Sequence, residues 1–339
     1  MTEVNWSRTD LIDESEQVVQ HKTKQQKRTL NETAGVITEE WDEQRVKVTR
    51  VTVNDDGAQQ IQKKAGTYTT LSIPTLTVDD KEGLQQLEKV LAKHLKSLHE
   101  PVQLKKEDRI LIVGLGNKTI TPDAIGPFAI DAMQQHFEEE RNEQFVMYAP
   151  GVTGQSGLET KEFVEALVNK IEPALVIVID ALATRSSDRL CRTIQLTDTG
   201  IHPGSGVGNT RTEVSKETLG VPVTAIGIPT VVEATVLLAD AIDTVFRTIA
   251  AKIQEKNSPS SKLSVTPWQP SDSTKVDYNL IKPIFGEWST WTKADRVQLL
   301  EETFSQRERL IVTPKECDIW LMHYATLVSN SLFKWIKGL

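Results

Sequence analysis

The sequence predicts an α/β protein with a mainly parallel, twisted sheet flanked by helices. Two apolar runs, 109–114 and 174–180, are typical of central strands that are buried on both faces. Segments with helical periodicity follow these runs, and strands that alternate with helices favour parallel pairing. The sequence also predicts a β-containing extension before this core and a helical tail after it.

The extension contains two predicted strands and one helix. Residues 46–53 alternate between apolar and polar side chains, which indicates a half-buried strand. A second strand is predicted at 68–74 and ends at Pro74. Residues 79–99 carry leucines with helical spacing on one stripe, so we expect an amphipathic helix there.

The predicted core and tail follow in order. We predict core strands at 109–114, 145–149, 174–180, 190–196 and 221–227, and core helices at 124–138, 159–171 and 230–254. Two tail helices are predicted, at 292–306 and from Thr313 to 338. In the second, Thr313 is the expected N-cap, Pro314 the first helical residue and Glu316 the acid of a capping box.

These elements divide the chain into successive segments. We predict an N-terminal extension over 11–100, an α/β core over 101–254 and a linker or excursion over 255–275, where serine and proline are frequent. The helical C-terminal segment, 276–339, is expected to pack on the core. Residues 1–28 are polar and weakly periodic, which is typical of a mobile arm.

Composition excludes several classes of protein. The chain has 339 residues and a formal net charge of -8, whereas a dedicated nucleic-acid binder usually carries a basic face. Its 2 cysteines, Cys191 and Cys317, form no CxxC motif, so we expect a reducing compartment without disulfides. No apolar run approaches the roughly 20 residues of a membrane span, and the N-terminus has no secretory signal pattern.

Two aspartates follow the central apolar runs. Asp123 comes after the loop that ends the first run, and Asp180 ends the second. Ligands of open α/β sheets bind beyond the carboxyl ends of the strands, so both acids can face one crevice and share a proton. Asp123 also fits an ordinary acid at a helix start. Asp180 has no such simple explanation, because a carboxylate in an apolar strand is costly unless it is paired or functional.

Two glycine-rich segments are further candidates. Gly114-Leu115-Gly116-Asn117 resembles half of a dinucleotide fingerprint, but the third glycine is missing and a tight strand-to-loop turn explains it better. The segment 200–209 has glycines that allow close backbone approach, so its amides can bind an oxyanion or a peptide carbonyl. Within it, His202 alone is more often structural than catalytic. We find no standard metal or phosphate motif, and Cys191 is expected to be a core residue.

These segments resemble the germination proteases of spore-forming Bacillus-type bacteria. The resemblance follows the chain in order from about residue 8 to its end. It rests on the motifs Gly114-Leu115-Gly116-Asn117, Thr121-Pro122-Asp123-Ala124-Ile125-Gly126-Pro127, Asp180-Ala181-Leu182-Ala183, the segment 200–209, Gly227-Ile228-Pro229-Thr230-Val231-Val232 and Val312-Thr313-Pro314-Lys315-Glu316.

The resemblance implies an endopeptidase that degrades small acid-soluble spore proteins during germination. It implies an atypical aspartic protease whose catalytic pair falls on Asp123 and Asp180, with no metal or other cofactor. The implied fold is similar to that of hydrogenase maturation proteases, and the implied assembly is a homotetramer in the forespore and spore core.

The resemblance also implies a self-processing zymogen. The propeptide would be residues 1–10, with the cut between Asp10 and Leu11, since the family favours an acid before the cut and a large apolar residue after it. His202, Gly204, Ser205 and Gly206 are candidates for binding the substrate backbone or the oxyanion.

Two alternatives stay open. One is a metal-dependent maturation endopeptidase in which Asp123, Asp180 and His202 surround an ion. The other is a non-enzymatic module that binds a nucleotide or peptide through Gly114, Gly116 and the 204–208 loop.

Overall fold

The structure is a computed structural model that describes residues 35–61, 63–138, 144–151, 160–203, 212–256, 277–304 and 310–338. The chain divides into two compact units. Unit 1 comprises Met1–Thr184, Asp188–Val231 and Thr313–Leu339, and unit 2 comprises Arg185–Ser187 and Val232–Val312. The expected propeptide and most of the expected linker at 255–275 lie outside the described residues, so the segment boundaries stay predictions.

Nine strands occur in the described part of the chain. They are β1 (Val36–Glu43), β2 (Val46–Val53), β3 (Gly66–Ser72), β4 (Ile110–Gly114), β5 (Phe145–Tyr148), β6 (Leu175–Thr184), β7 (Thr193–Thr197), β8 (Val223–Glu233) and β9 (Ile311–Val312). Their order in the sheet is β1-β2-β3-β7-β8-β6-β4-β5, and β9 pairs with the end of β8.

The sheet confirms the predicted α/β class, and its parallel part is narrower than expected. Strand β4 runs parallel to both β5 and β6. The pairs from β1 through β3 to β7 and β8 are antiparallel. The sheet is therefore mixed, because the core strands β7 and β8 pair antiparallel and the strands of the extension continue the sheet beyond β7.

Helices cover both faces of the sheet in unit 1. The helices of this unit are α1 (Asp55–Ile61), α2 (Lys81–His99), α3 (Ile125–Glu138), α4 (Thr160–Ile171), α5 (Lys216–Leu219) and α9 (Cys317–Ile336). Helices α2, α3 and α9 pack together over one face, whereas α4 and α5 contribute to the core on the other. Side chains of β4 alternate between the two cores, with Ile110 and Ile112 in one and Leu111 and Val113 in the other.

Unit 2 has a smaller core built around α6 (Ala234–Lys256), with α7 (Lys282–Phe285) and α8 (Lys293–Phe304). Phe246, Ala250 and Ile281 form the buried centre. The buried Arg296 guanidinium donates to Asp243 at 2.9 Å and lies over the Phe246 ring. The core of this unit thus combines packed aromatic rings with an ion pair between the buried Arg296 and the partly exposed Asp243.

Several element boundaries differ from the prediction. Strand β1 was not expected, because its sequence is acidic and its side chains are largely exposed at the sheet edge. Strand β7 begins at Thr193, so Cys191 lies in the preceding turn with φ 53° rather than inside a strand. Strand β8 continues to Glu233, where pairing with β9 delays the start of α6 to Ala234.

The start of the C-terminal helix is also different. Helix α9 begins at Cys317 with Glu316 as its N-cap, and Pro314 accepts a turn hydrogen bond from the Cys317 amide at 3.1 Å. The predicted capping box at Thr313 is therefore wrong. The hydroxyl of Thr313 instead donates to the Thr230 carbonyl of β8 at 2.9 Å.

Candidate active site

The candidate site lies where β4 ends beside β6. Gly114, the last residue of β4, is in register with Ile179. The next amide, that of Leu115, donates to the Ile179 carbonyl at 2.8 Å. The chain of β4 then turns away, whereas β6 continues, so Asp180 stands at the carboxyl end of its neighbour.

Asp180 is a buried acid, with 4% of its surface exposed. The prediction that it ends its strand is wrong, because β6 extends to Thr184. Its Oδ1 accepts a hydrogen bond from the Ala181 amide at 2.9 Å. Asp180 follows Val176 and Val178 at two-residue spacing along β6. Its side chain therefore lies on the same face of the sheet as these two buried valines.

Asp123 lies in a 3-10 turn, Thr121–Asp123, that packs against β6. Its carboxylate Oδ2 accepts the Asn117 amide at 2.8 Å, and the same amide lies 3.1 Å from its carbonyl oxygen. Helix α3 begins later, at Ile125. The carboxylate therefore binds the loop that follows β4, a contact that a simple helix-start acid does not predict.

The glycines of this region make room for the protein's own backbone. A Cβ added to Gly116 would lie 1.8 Å from the Asp123 carbonyl oxygen, and one added to Gly114 would lie 2.3 Å from the Gly126 carbonyl. A Cβ on Gly126 would meet the Leu115 and Ile179 carbonyl oxygens. Glycine is needed at these positions because the loop, the turn and β6 approach so closely.

Thr230 is a site residue that the sequence did not single out by itself. It is 3% exposed on β8, and its hydroxyl donates to the Pro122 carbonyl at 2.5 Å. The Thr230 carbonyl in turn accepts the hydroxyl of Thr313. The available signal was a threonine inside a mostly apolar strand, in a motif that carried the family resemblance.

His202 lies in a different environment. Strand β7, which precedes it, pairs near the start of β8, and the Val176 amide of β6 donates to Pro222 just before β8. The segment that contains His202 therefore leaves the sheet at the end where strands β6 and β8 begin. Its Nε2 lies 3.7 Å from Glu213, which also pairs with Lys64.

Five predicted site residues lie outside the described part of the chain. They are Gly204, Ser205, Gly206, Asp10 and Leu11. Within the described ranges, no three histidine, cysteine, aspartate or glutamate side chains are grouped so as to hold a metal ion. Over the same ranges, no helix combines the length and apolar character that crossing a membrane requires.

The geometry brings together two carboxylate-bearing segments at one end of neighbouring strands. Carboxylate pairs carry out acid–base catalysis where their surroundings set different protonation states for the two groups. The fold and site thus define an α/β protein with a candidate carboxylate centre at the carboxyl end of β4.

Comparison with known proteins identifies the family. The germination protease family matches residues 12–337, so the chain belongs to this family of peptidases. The germination protease of Bacillus mycoides (strain KBAB4) is 37% identical over 96% of this chain and 92% of its own length. That of Bacillus cereus (strain 03BB102) is 36% identical over the same shares. Membership supports a protease role in spore germination.

One solved structure also aligns with part of the chain. A NiFe hydrogenase maturation protease from Thermococcus kodakarensis KOD1 covers 40% of this chain and 80% of its own, with 18% sequence identity and a TM-score of 0.29. A likeness at this level carries no argument about mechanism.

Proposed function

We propose that the chain is an endopeptidase that starts the degradation of small acid-soluble spore proteins during germination, using Asp123 and Asp180 as its catalytic pair. The observation that supports this proposal is the position of Asp180 at the end of β4, beside the turn that carries Asp123. Family membership supports the peptidase reaction, and this pair supplies the acids that such a reaction needs.

In the proposed mechanism one carboxylate is ionised and the other protonated. The ionised group removes a proton from a water molecule, whose oxygen attacks the peptide carbonyl carbon. The protonated group donates to the carbonyl oxygen. The tetrahedral intermediate then collapses as the C–N bond breaks: the amine takes the proton that the first carboxylate removed from water, and the second carboxylate takes back its proton as the carbonyl re-forms. The two acids titrate as a unit, because repulsion between like charges separates their apparent pKa values.

The proposal extends to control and assembly. The enzyme is made as a zymogen in the forespore and spore core, removes residues 1–10 by cleaving between Asp10 and Leu11, and works as a homotetramer. Gly204, Ser205 and Gly206 hold the substrate backbone, and His202, which lies at the end of the sheet where β6 and β8 begin, anchors the loop that carries them. The contact of His202 with Glu213 suits a role in fixing the base of this loop.

Substitution of each acid tests the pair. Asp123→Asn and Asp180→Asn keep the shape of the side chain and remove its proton chemistry. We expect each to lower kcat for a purified small acid-soluble spore protein by about 10²- to 10⁴-fold. Asp188→Asn is the matched control, because Asp188 is an exposed acid shortly after β6. Wild-type activity in either folded variant would show that Asp123 and Asp180 do not act as a catalytic pair.

A chelator distinguishes the metal-dependent alternative in the same assay. The proposed mechanism predicts unchanged kcat after exhaustive treatment with EDTA, whereas a metal-dependent endopeptidase loses activity and regains it with added ion.

N-terminal sequencing tests the proposed removal of residues 1–10. A new terminus at Leu11 is expected in the wild type and not in Asp180→Asn, while a terminus elsewhere argues against the assigned cut.

A further inference from the structure

We propose that Thr230 is a positioning residue for Asp123, and that its hydroxyl sets the orientation of the Asp123 carboxylate through the Pro122 carbonyl. This inference rests on the proposed function for its catalytic consequence. Its structural part concerns the turn itself and can be measured independently.

The hydrogen bond is placed at the junction between two elements. The 3-10 turn is closed by the Asp123 amide, which donates to Ile120 at 2.8 Å, and by the Ala124 amide, which donates to Thr121 at 3.2 Å. Helix α3 begins at Ile125. The Pro122 carbonyl lies between the 3-10 turn and helix α3, and the Thr230 hydroxyl donates to it at 2.5 Å.

A fixed Pro122 carbonyl fixes the peptide plane that precedes Asp123. The peptide unit is planar, so the direction of the Pro122 C=O bond determines the direction of the Asp123 N–H bond and the position of its Cα. On its other side, Asp123 is held by the Asn117 amide through Oδ2. Two anchors, one on the preceding peptide and one on the carboxylate, thus leave the side chain little freedom.

Thr230 is itself held in place. It lies on β8, with 3% of its surface exposed, and the Thr313 hydroxyl donates to its carbonyl at 2.9 Å. The donor is thereby preorganised, since neither its backbone nor its buried side chain can shift freely. Groups that hold a catalytic side chain need this rigidity, because a displacement of about 1 Å can lower a rate by about 10²-fold.

A merely structural threonine would give a different result from a positioning threonine. Thr230→Val keeps the branched shape and removes the hydroxyl, whereas Thr230→Ser keeps the hydroxyl. Thr224→Val is the matched control, because Thr224 is also buried on β8 and its hydroxyl binds the His99 ring rather than the turn. Thr230→Ala repeats the test should the valine variant fail to fold.

In the activity measurement, Thr230→Val lowers kcat by about tenfold to 10²-fold and leaves KM nearly unchanged. Thr230→Ser and Thr224→Val keep kcat within about twofold of the wild type. The pH profile of kcat for Thr230→Val also changes. Its two apparent pKa values move closer together, because a displaced Asp123 couples less strongly with Asp180. An unchanged profile with an unchanged kcat overturns the proposal.

Hydrogen–deuterium exchange of the full-length chain separates this proposal from the catalytic one. The Asn117 amide, which donates to Asp123, should exchange faster in Thr230→Val and at the wild-type rate in Thr230→Ser and Thr224→Val. Wild-type exchange in Thr230→Val refutes the positioning role even if Asp123→Asn is inactive. Faster exchange together with an active Asp123→Asn variant supports the positioning of the turn and refutes the catalytic pair.

Discussion

The amide of Asn117 donates to Asp123 Oδ2 at 2.8 Å and lies 3.1 Å from the carbonyl oxygen of the same residue. One backbone group therefore contacts both the side chain and the main chain of the candidate catalytic acid. A carboxylate that accepts an amide hydrogen bond is stabilised in its ionised form. This contact depends on the shape of the loop that follows β4, in which Gly116 directly precedes Asn117.

Gly116→Ala should disrupt that loop. The residue has φ 115°, and an added Cβ would lie 1.8 Å from the Asp123 carbonyl oxygen, so the backbone must move. We expect a loss of about 1–3 kcal/mol in the free energy of unfolding and a fall in kcat of about 10²-fold. Chemical denaturation and the spore-protein assay measure the two effects.

Gly220→Ala is the control for this substitution. Gly220 also has a positive φ, of 75°, but its added Cβ would have no atom within 4 Å. Only the backbone strain of about 1–2 kcal/mol is expected, with kcat unchanged. Equal activity in the two alanine variants would show that the crowding at Gly116 does not matter for function.

His99 should make the stability of the protein depend on pH. Its ring is 4% exposed, packs on Trp335 and binds Thr224, and burial lowers its pKa to about 4. The unfolded chain binds the proton at a higher pH, near the ordinary value of 6.5. Stability is therefore fully present above about pH 6.5 and is lost as the pH falls towards 4, by about 3 kcal/mol in total.

The measurement is the free energy of unfolding in urea between about pH 7 and pH 4.5. This window avoids Glu43, for which burial is outweighed by hydrogen bonds from Lys93, Trp41 and His94 that lower its pKa to about 2. Its contribution to stability is lost only below its ordinary pKa of 4.5. His99→Phe should reduce the slope in this window but not abolish it, because burial also lowers the pKa of His94. Parallel curves for the variant and the wild type would assign the pH dependence to other groups.

Both cysteines should be unreactive in the folded protein. Cys191 is 1% exposed and Cys317 is 5% exposed, and burial, together with the nearby Cys317 thiol, raises the pKa of Cys191 to about 12. The thiolate is the reactive form, so a thiol-specific reagent should label neither residue until the chain is denatured. The proteolytic activity should also be unchanged after treatment with such reagents. Rapid labelling of the native protein with loss of activity would instead indicate a cysteine nucleophile.

The sequence predicted the parts of the fold that depend on local composition. The apolar run 109–114 gave β4 nearly correctly, because a strand buried on both faces has no polar positions. Asp180 misled the prediction of β6, since an acid after six apolar residues resembles a strand end. Strand β1 was missed because exposed acidic residues at a sheet edge carry little periodic signal.

Only part of the candidate site could be predicted from the sequence. The positions of Asp123 and Asp180 after apolar runs predicted that they belong to neighbouring segments, and the structure places those segments together. The hydrogen bonds of Thr230 and Thr313 join parts of the chain separated by 108 and 83 positions. Partners this distant follow from strand order and register, which no local pattern specifies.

The bonds from Thr313 through Thr230 to Pro122 have a consequence for biosynthesis. Translation proceeds from the N-terminus, so Asp123 leaves the ribosome long before Thr230, and Thr230 before Thr313. The support beneath the Asp123 turn is therefore assembled only when the chain leading into α9 has been made. Chains that end before Thr313, including those released by premature termination, lack the second of these two hydrogen bonds even when both acids are present.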